Sequence, residues 1–157
     1  MKNAVNFRKK ALTRSIRLFL LQKLPLAYIA GVKVTKFDEQ GTETCVKFGW
    51  INQNPFRSIY FAAMHMAAEL ATGLLLFQYL DEETRFSMLL VKTNASFSKK
   101  AVGKIRFECK QGEAAHSFIT YVLNTSEGDS IDLPVISYNE SNEEVARFNY
   151  TWSCRKK

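Results

Sequence analysis

A long apolar run in the middle of the chain constrains the fold more than any other feature. It extends from Ser58 to Leu80, is apolar on nearly every face of a helix, and carries a single carboxylate, Glu69. A helix that is apolar all round belongs in a core or an interface. The run is also long enough to suggest a membrane span, but Glu69 and His65 near its middle would be costly there. We therefore predict a buried central helix in which the carboxylate has a function.

Length and charge limit the domain organisation. The chain has 157 residues, which is typical of one domain, and we divide it into a basic amphipathic N-terminal helix (1–30) and a main domain (31–157). Nine Lys and Arg residues precede the first acid, Asp38. This uneven charge is not that of a nucleic-acid binder, which is basic over a whole face. An anionic ligand, or the acidic surface of a partner or membrane, remains open.

Cysteine usage and the N-terminus bear on the compartment. Three cysteines without CxxC or Cys/His spacing (Cys45, Cys109 and Cys154) predict neither a disulfide scaffold nor a metal site. Reduced thiols favour a cytoplasmic protein. The N-terminus lacks the pattern of a signal peptide, although an Arg-rich start without acids is also typical of organelle presequences.

The N-terminal segment predicts an amphipathic helix from Phe7 to Leu24, which Pro25 ends. Apolar residues recur at helical spacing, and the basic residues lie mostly on the other faces. Two interpretations remain open: the helix docks its apolar stripe on the domain, or it lies on a membrane surface.

The remaining elements follow from alternation and turn signals. Ser58 is the predicted N-cap of the central helix. The strand at 86–97 hardly alternates in its first half, which predicts burial on both faces. The other predicted elements are strands at 31–37, 42–50, 104–110, 131–138 and 143–153, and a short helix at 113–123.

This order of elements, with the segment NPFRSIYFAAMHMAAELATG at its centre, resembles the hotdog-fold thioesterase superfamily and most closely its DUF4442 branch, which is related to the PaaI-type enzymes. The resemblance covers roughly residue 31 to the end. It implies an α+β hotdog fold, in which an antiparallel sheet wraps around one long central helix, here with an extra N-terminal helix.

The resemblance also implies site residues. Glu69 stands where PaaI-type enzymes have the catalytic acid, and Asn54 lies fifteen residues earlier, as their turn Asn does. The family's His-Gly-Gly is replaced by Tyr60, Phe61 and Ala62, so the oxyanion donors would be backbone N–H groups near Tyr60 and Phe61. Ser87, early in the next strand, is the candidate to position water.

Thioester hydrolysis needs a base or nucleophile, donors for the developing oxyanion and a dry acyl slot. Apolar surroundings would raise the pKa of Glu69 towards that of a useful base, and Asn54 would orient the water or the carbonyl. The alternative for Glu69 is a structural carboxylate that pairs with His65 or stabilises a dimer contact. One His and one Glu on a helix fall short of a metal site.

A basic cluster at Lys99, Lys100, Lys104 and Arg106 would meet the phosphates of coenzyme A, which is expected as part of the substrate and not as a cofactor; no cofactor is predicted. A solvated hairpin edge protected by lysines is equally compatible with it. The resemblance further implies a homodimer or a dimer of dimers.

Taken together, the sequence and the resemblance predict hydrolysis of acyl-coenzyme A or acyl-carrier-protein thioesters. A non-catalytic acyl-thioester or lipid-binding domain is the competing hypothesis, because His-Gly-Gly is missing. A dehydratase or hydratase of the same fold is the third.

Overall fold

A six-stranded antiparallel sheet and one long helix form the centre of the molecule. The structure, a computed structural model, describes residues 3–81, 85–125 and 127–157. In chain order the elements are α1 (Asn3–Ala11), α2 (Arg14–Lys23), α3 (Pro25–Ile29), β1 (Lys33–Phe37), β2 (Thr42–Lys47), a 3₁₀ turn (Trp50–Asn52), α4 (Phe61–Phe77), β3 (Phe86–Phe97), β4 (Lys104–Cys109), α5 (Gly112–Asn124), β5 (Asp129–Tyr138) and β6 (Glu144–Lys156).

The central helix α4 packs against the sheet as predicted. The strands follow the order β1-β2-β4-β5-β6-β3, and every neighbouring pair is antiparallel. Ala67, Ala68 and Ala71 of α4 are fully buried, and their small side chains allow close approach to the sheet. The Thr44 hydroxyl of β2 donates to the Ala67 carbonyl over 2.7 Å. The antiparallel sheet around one long helix, which the resemblance implied, is confirmed.

The N-terminal segment forms three helices, so the prediction of one helix over 7–24 is wrong. Thr13 separates the first two: its hydroxyl donates to the Lys10 carbonyl over 2.7 Å and accepts from the Ser15 N–H over 3.3 Å. A residue that caps the next helix in this way ends the preceding one. Pro25 follows the end of α2 as predicted but also begins α3, where its fixed φ suits the first helical position.

The ends of α4 and β2 differ from the prediction. The helix begins at Phe61 with Tyr60 as N-cap, not at Ser58, whose side chain bonds Asn54 instead. The strand β2 ends at Lys47, and Trp50 lies in the 3₁₀ turn with 83% of its surface exposed. The chain turns there because the Asn52 side chain donates to the Lys47 carbonyl over 2.9 Å.

The strand β3 lies at the edge of the sheet, so its predicted burial on both faces is wrong for the single chain. Its described neighbour in the sheet is β6 alone. Leu89 is 64% exposed and Val91 is 52% exposed. An edge strand of twelve residues, apolar in its first half, is a template for pairing with another chain.

The other predicted strands and the short helix are confirmed with small shifts of their ends. All three cysteines are described, and each is buried and free. No helix within residues 3–81, 85–125 and 127–157 is long and apolar enough to cross a membrane.

Candidate functional site

Glu69 lies on α4 at the wall of a cavity of about 460 Å³, which we call the carboxylate cavity. Its volume is in the range of small-molecule pockets. Residues of α2, α4, β3 and β6 form its wall, and most of them are apolar. They include Phe19, Leu74, Phe77, Met88 and Trp152.

Burial raises the pKa of Glu69 from 4.5 to about 7. Among the described residues, none donates a hydrogen bond to its carboxylate or forms an ion pair with it. The charged form is therefore disfavoured by desolvation without a compensating partner. Such a carboxylate has the strength of a general base near neutral pH.

Gly73 and Trp152 shape the space at the Glu69 carboxylate, and the sequence prediction missed both. A Cβ atom added at Gly73 would lie 3.5 Å from Glu69 Oε1 and 3.5 Å from Trp152 Cζ2. The Trp152 indole is fixed, since its Nε1 donates to the Thr72 hydroxyl over 2.9 Å. Glycine one turn after Glu69 thus leaves open the space beside Oε1 that a methyl group would fill at van der Waals distance. The role of Gly73 could have been predicted from the sequence, because residues four apart on a helix, here Glu69 and Gly73, lie next to each other on one face.

Ser87, at the start of β3, lines the same cavity as Glu69. Its hydroxyl donates to the Arg155 carbonyl over 3.2 Å. The oxygen of a hydroxyl that donates in this way keeps its acceptor capacity. The structure therefore brings these two predicted site residues together.

Asn54 lies in the loop before α4 and holds that loop together. Its Oδ1 accepts from the N–H groups of Phe56 over 3.0 Å and Ser58 over 3.2 Å. Its Nδ2 donates to the Ser58 hydroxyl over 3.0 Å. The amide thus serves the turn in which Arg57 has a positive φ of 59°. Within one chain, Asn54 and Glu69 line different cavities.

The second cavity, of about 580 Å³, lies at the start of α4, and we call it the helix-start cavity. Tyr60 and Phe61 are half exposed beside it. The backbone N–H groups of Phe61 and Ala62 have no hydrogen-bond acceptor among the described residues. Free N–H groups at a helix N-terminus favour negative charge, as an oxyanion hole requires.

The predicted basic cluster is divided. Lys99 and Lys100 line the helix-start cavity, and Lys104 and Arg106 on β4 do not. Lys99 Nζ lies 2.6 Å from Glu143 Oε1, and Lys100 Nζ donates to the Phe56 carbonyl over 3.4 Å.

Arg106 is committed elsewhere: its Nε lies 2.9 Å from Glu108 Oε1 and 3.3 Å from Glu43 Oε2. Lys104 is exposed, and its backbone N–H donates to Glu140. Only the first two members of the cluster are therefore placed to meet a ligand in the helix-start cavity.

His65 does not pair with Glu69. Its Nδ1 lies 2.8 Å from the Tyr150 hydroxyl, and its ring contacts those of Phe61, Phe97 and Phe148. Burial lowers the pKa of His65 and so favours the neutral ring. The first structural alternative for Glu69, an ion pair with His65, is therefore wrong, and the second, a role at a dimer contact, stays a prediction.

No group of three His, Cys, Asp or Glu side chains suited to a metal ion occurs in the described part of the chain. The predicted site residues instead form two sets. Glu69 and Ser87 lie at the carboxylate cavity, beside the start of β3. Asn54, Tyr60, Phe61 and the two lysines lie at the helix-start cavity, which reaches Phe97 at the end of β3.

Comparisons with known proteins agree with this fold. Residues 13–154 match the model of a family described as "Domain of unknown function (DUF4442)". A solved structure from Pseudomonas aeruginosa, a protein of unknown function named as a probable thioesterase, has 19% identity and a TM-score of 0.77, covering 92% of this chain and 97% of that one. A thioesterase from Haemophilus influenzae has 13% identity and a TM-score of 0.69, covering 91% and 90%.

A protein of unknown function from Chlorobaculum tepidum has 16% identity and a TM-score of 0.77, covering 92% of this chain and 94% of its own. No curated protein matches the sequence significantly. At these identities the similarity to solved structures establishes the fold.

Proposed function

The chain belongs to the DUF4442 family, and from this premise we propose that it hydrolyses acyl thioesters of coenzyme A or an acyl carrier protein. One observation carries the proposal: the Glu69 carboxylate lies in an apolar cavity, where burial raises its pKa to about 7. The fold is also that of proteins named as thioesterases in Haemophilus influenzae and Pseudomonas aeruginosa.

In the proposed reaction Glu69 acts as general base. It takes a proton from a water molecule, whose oxygen attacks the thioester carbonyl carbon to give a tetrahedral oxyanion. The oxyanion then collapses, the C–S bond breaks, and the departing thiolate takes the proton from Glu69. The products are the free carboxylic acid of the acyl group and a thiol, and Glu69 is again a carboxylate. The Ser87 hydroxyl, at the same cavity, would hold the water. Direct attack by Glu69 as nucleophile would use the same cavity.

The proposed active form is a homodimer that pairs two β3 edges. Antiparallel pairing about a two-fold axis places the start of one strand beside the end of the other. The carboxylate cavity of each chain would then adjoin the helix-start cavity of the partner. The exposed Leu89 and Val91 support such an interface, because pairing would bury apolar surface that the single chain leaves in water.

In this dimer the helix-start cavity would supply the remaining functions. The N–H groups of Phe61 and Ala62 would stabilise the oxyanion. Lys99 and Lys100 would bind coenzyme A phosphates, for which cations are suited. Asn54 would act through the loop that it holds, since its amide bonds Ser58 and Phe56.

A binding domain without catalysis is the second candidate, and one observation favours it. Phe61 stands where the related enzymes have glycine, and its ring contacts Tyr60 and His65 beside the free N–H groups. A bulky ring there would restrict the approach of a thioester carbonyl to the helix start.

The experiment is hydrolysis of an acyl-coenzyme A chain-length series by wild type and Glu69→Gln, which keeps the shape and removes the base. Glu113→Gln, on the exposed face of α5, is the matched control. We expect a loss of about a hundredfold or more in Glu69→Gln alone, the usual scale of general-base catalysis. If wild type and Glu69→Gln are equally inert yet bind the same thioesters, the protein is a binding domain.

A further inference from the structure

The helices α2 and α3 leave large apolar side chains in water. Each helix buries one stripe, with Ile16 and Leu20 inward on α2 and Ala27 inward on α3. The opposite side is exposed and carries large apolar side chains among polar ones, and Leu26 is 68% exposed. We call this surface the outer face of α2–α3, and its members are Leu18, Leu21, Leu26 and Ile29.

A turn bonded to the end of α3 carries two more exposed apolar side chains. The 3₁₀ turn Trp50–Asn52 is attached next to the end of α3, because Asn52 Nδ2 donates to the Ala30 carbonyl over 3.0 Å. Trp50 and Ile51 in this turn are both exposed. Exposed apolar surface of this kind marks an interaction site.

The segment that carries the outer face is basic. Residues 3–37 contain eight Lys and Arg residues and no acid, and two of the eight, Arg8 and Lys36, form ion pairs with Glu39 and Asp38. Arg14 is exposed on α2. The Arg17 guanidinium of α2 lies 5.9 Å from the centre of the Tyr28 ring of α3, and this contact joins the two helices. A partner for this surface must therefore offer negative charge next to an apolar layer.

We propose that the outer face of α2–α3 docks on an anionic lipid surface. Leucine, isoleucine and tryptophan side chains would enter the interface between head groups and acyl chains, and the Arg and Lys side chains would contact anionic head groups. A second copy of the chain fits less well. Two-fold pairing would set the same basic surface against itself and bring like charges together.

Docking would place lipid one helix away from the carboxylate cavity. On the inward side of α2, Phe19 and Lys23 line that cavity, while Leu18 and Leu21 face outward. This consequence rests on the proposed function, since it concerns the access of an acyl substrate. The docking itself does not depend on hydrolysis.

The test is co-sedimentation of the full chain with vesicles of phosphatidylcholine alone or of equimolar phosphatidylcholine and phosphatidylglycerol. We expect binding to the anionic vesicles only, weakened by salt. Leu26→Ser with Ile29→Ser should lower the partition coefficient about tenfold or more, because burial of their side chains is lost. The matched control is Tyr121→Ser, an exposed aromatic residue on α5, which should bind as wild type does.

Charge is tested separately. Arg14→Gln with Arg17→Gln, both on α2, should weaken binding about tenfold, whereas Lys110→Gln with Arg147→Gln, which removes the same charge just after β4 and on β6, should not. Circular dichroism verifies the fold of each variant. Absence of wild-type binding to anionic vesicles overturns the proposal, as does equal binding by the Leu26/Ile29 variant. A change of oligomer mass in that variant, without vesicle binding by wild type, assigns the face to self-association.

Discussion

The desolvation of Glu69 predicts how Glu69→Gln changes stability with pH. An acid whose pKa is higher in the folded state binds more protons folded than unfolded, so stability falls as pH rises from the unfolded pKa through the folded one. A rise from 4.5 to about 7 corresponds to about 3 kcal/mol of stability lost across that interval. Glutamine does not titrate, so the variant should not lose this stability as the pH rises.

The assay is urea unfolding of wild type and Glu69→Gln at pH 5 and pH 8.5, at one protein concentration because a dimer's stability depends on it. We expect the stability of the variant relative to wild type to increase by about 2 to 3 kcal/mol between the two pH values. Glu113→Gln, exposed on α5, should show no such change. A relative stability of Glu69→Gln that is the same at both pH values would refute desolvation as the cause.

Three further predictions concern activity and assembly. Hydrolysis should rise with pH through about 7, as Glu69 loses its proton, and a profile already flat from pH 5 would contradict this. Gly73→Ala should add about 0.5 to 1 kcal/mol to the free energy of unfolding, since alanine favours helix. It should nevertheless lower hydrolysis at least about tenfold, since the added methyl group would lie 3.5 Å from Glu69 Oε1. Unchanged hydrolysis in this variant would show that water reaches the carboxylate from another side. Leu89→Lys with Val91→Lys should halve the mass in sedimentation equilibrium and abolish hydrolysis, whereas Tyr121→Lys should do neither; a dimer that survives the change would place the interface elsewhere.

Local sequence signals were sufficient for most of the fold because they depend on short-range chemistry. The strict alternation from Lys104 to Cys109 and the run around Ala67 each indicate one kind of element, and both are confirmed. The helix break at Thr13 was missed because helical spacing continues across it. Its capping hydroxyl was readable, but the apolar periodicity of the segment hid it.

The candidate site could be predicted only in its chemistry. The isolated carboxylate Glu69 signalled itself, because a lone charge in an apolar helix is costly. The roles of Trp152 and Phe19 could not be read, since they come to the cavity from β6 and α2, far from Glu69 in the chain. For the same reason, the ion pair of Arg106 with Glu43 could not be predicted, since Glu43 lies on a neighbouring strand and far from Arg106 in the sequence.

The error on β3 connects the sequence with the proposed assembly. An apolar stretch without alternation, Met88 to Val91, predicts a strand covered on both sides, and in the single chain this strand is an exposed edge. The sequence pattern and the exposed edge are both explained if a second chain covers β3, because the apolar pattern of a sequence reflects burial in the assembled protein. The positions of the two cavities agree with the proposed dimer: they lie at opposite ends of β3, so antiparallel pairing of two such edges would bring Glu69 of one chain near the helix start of the other.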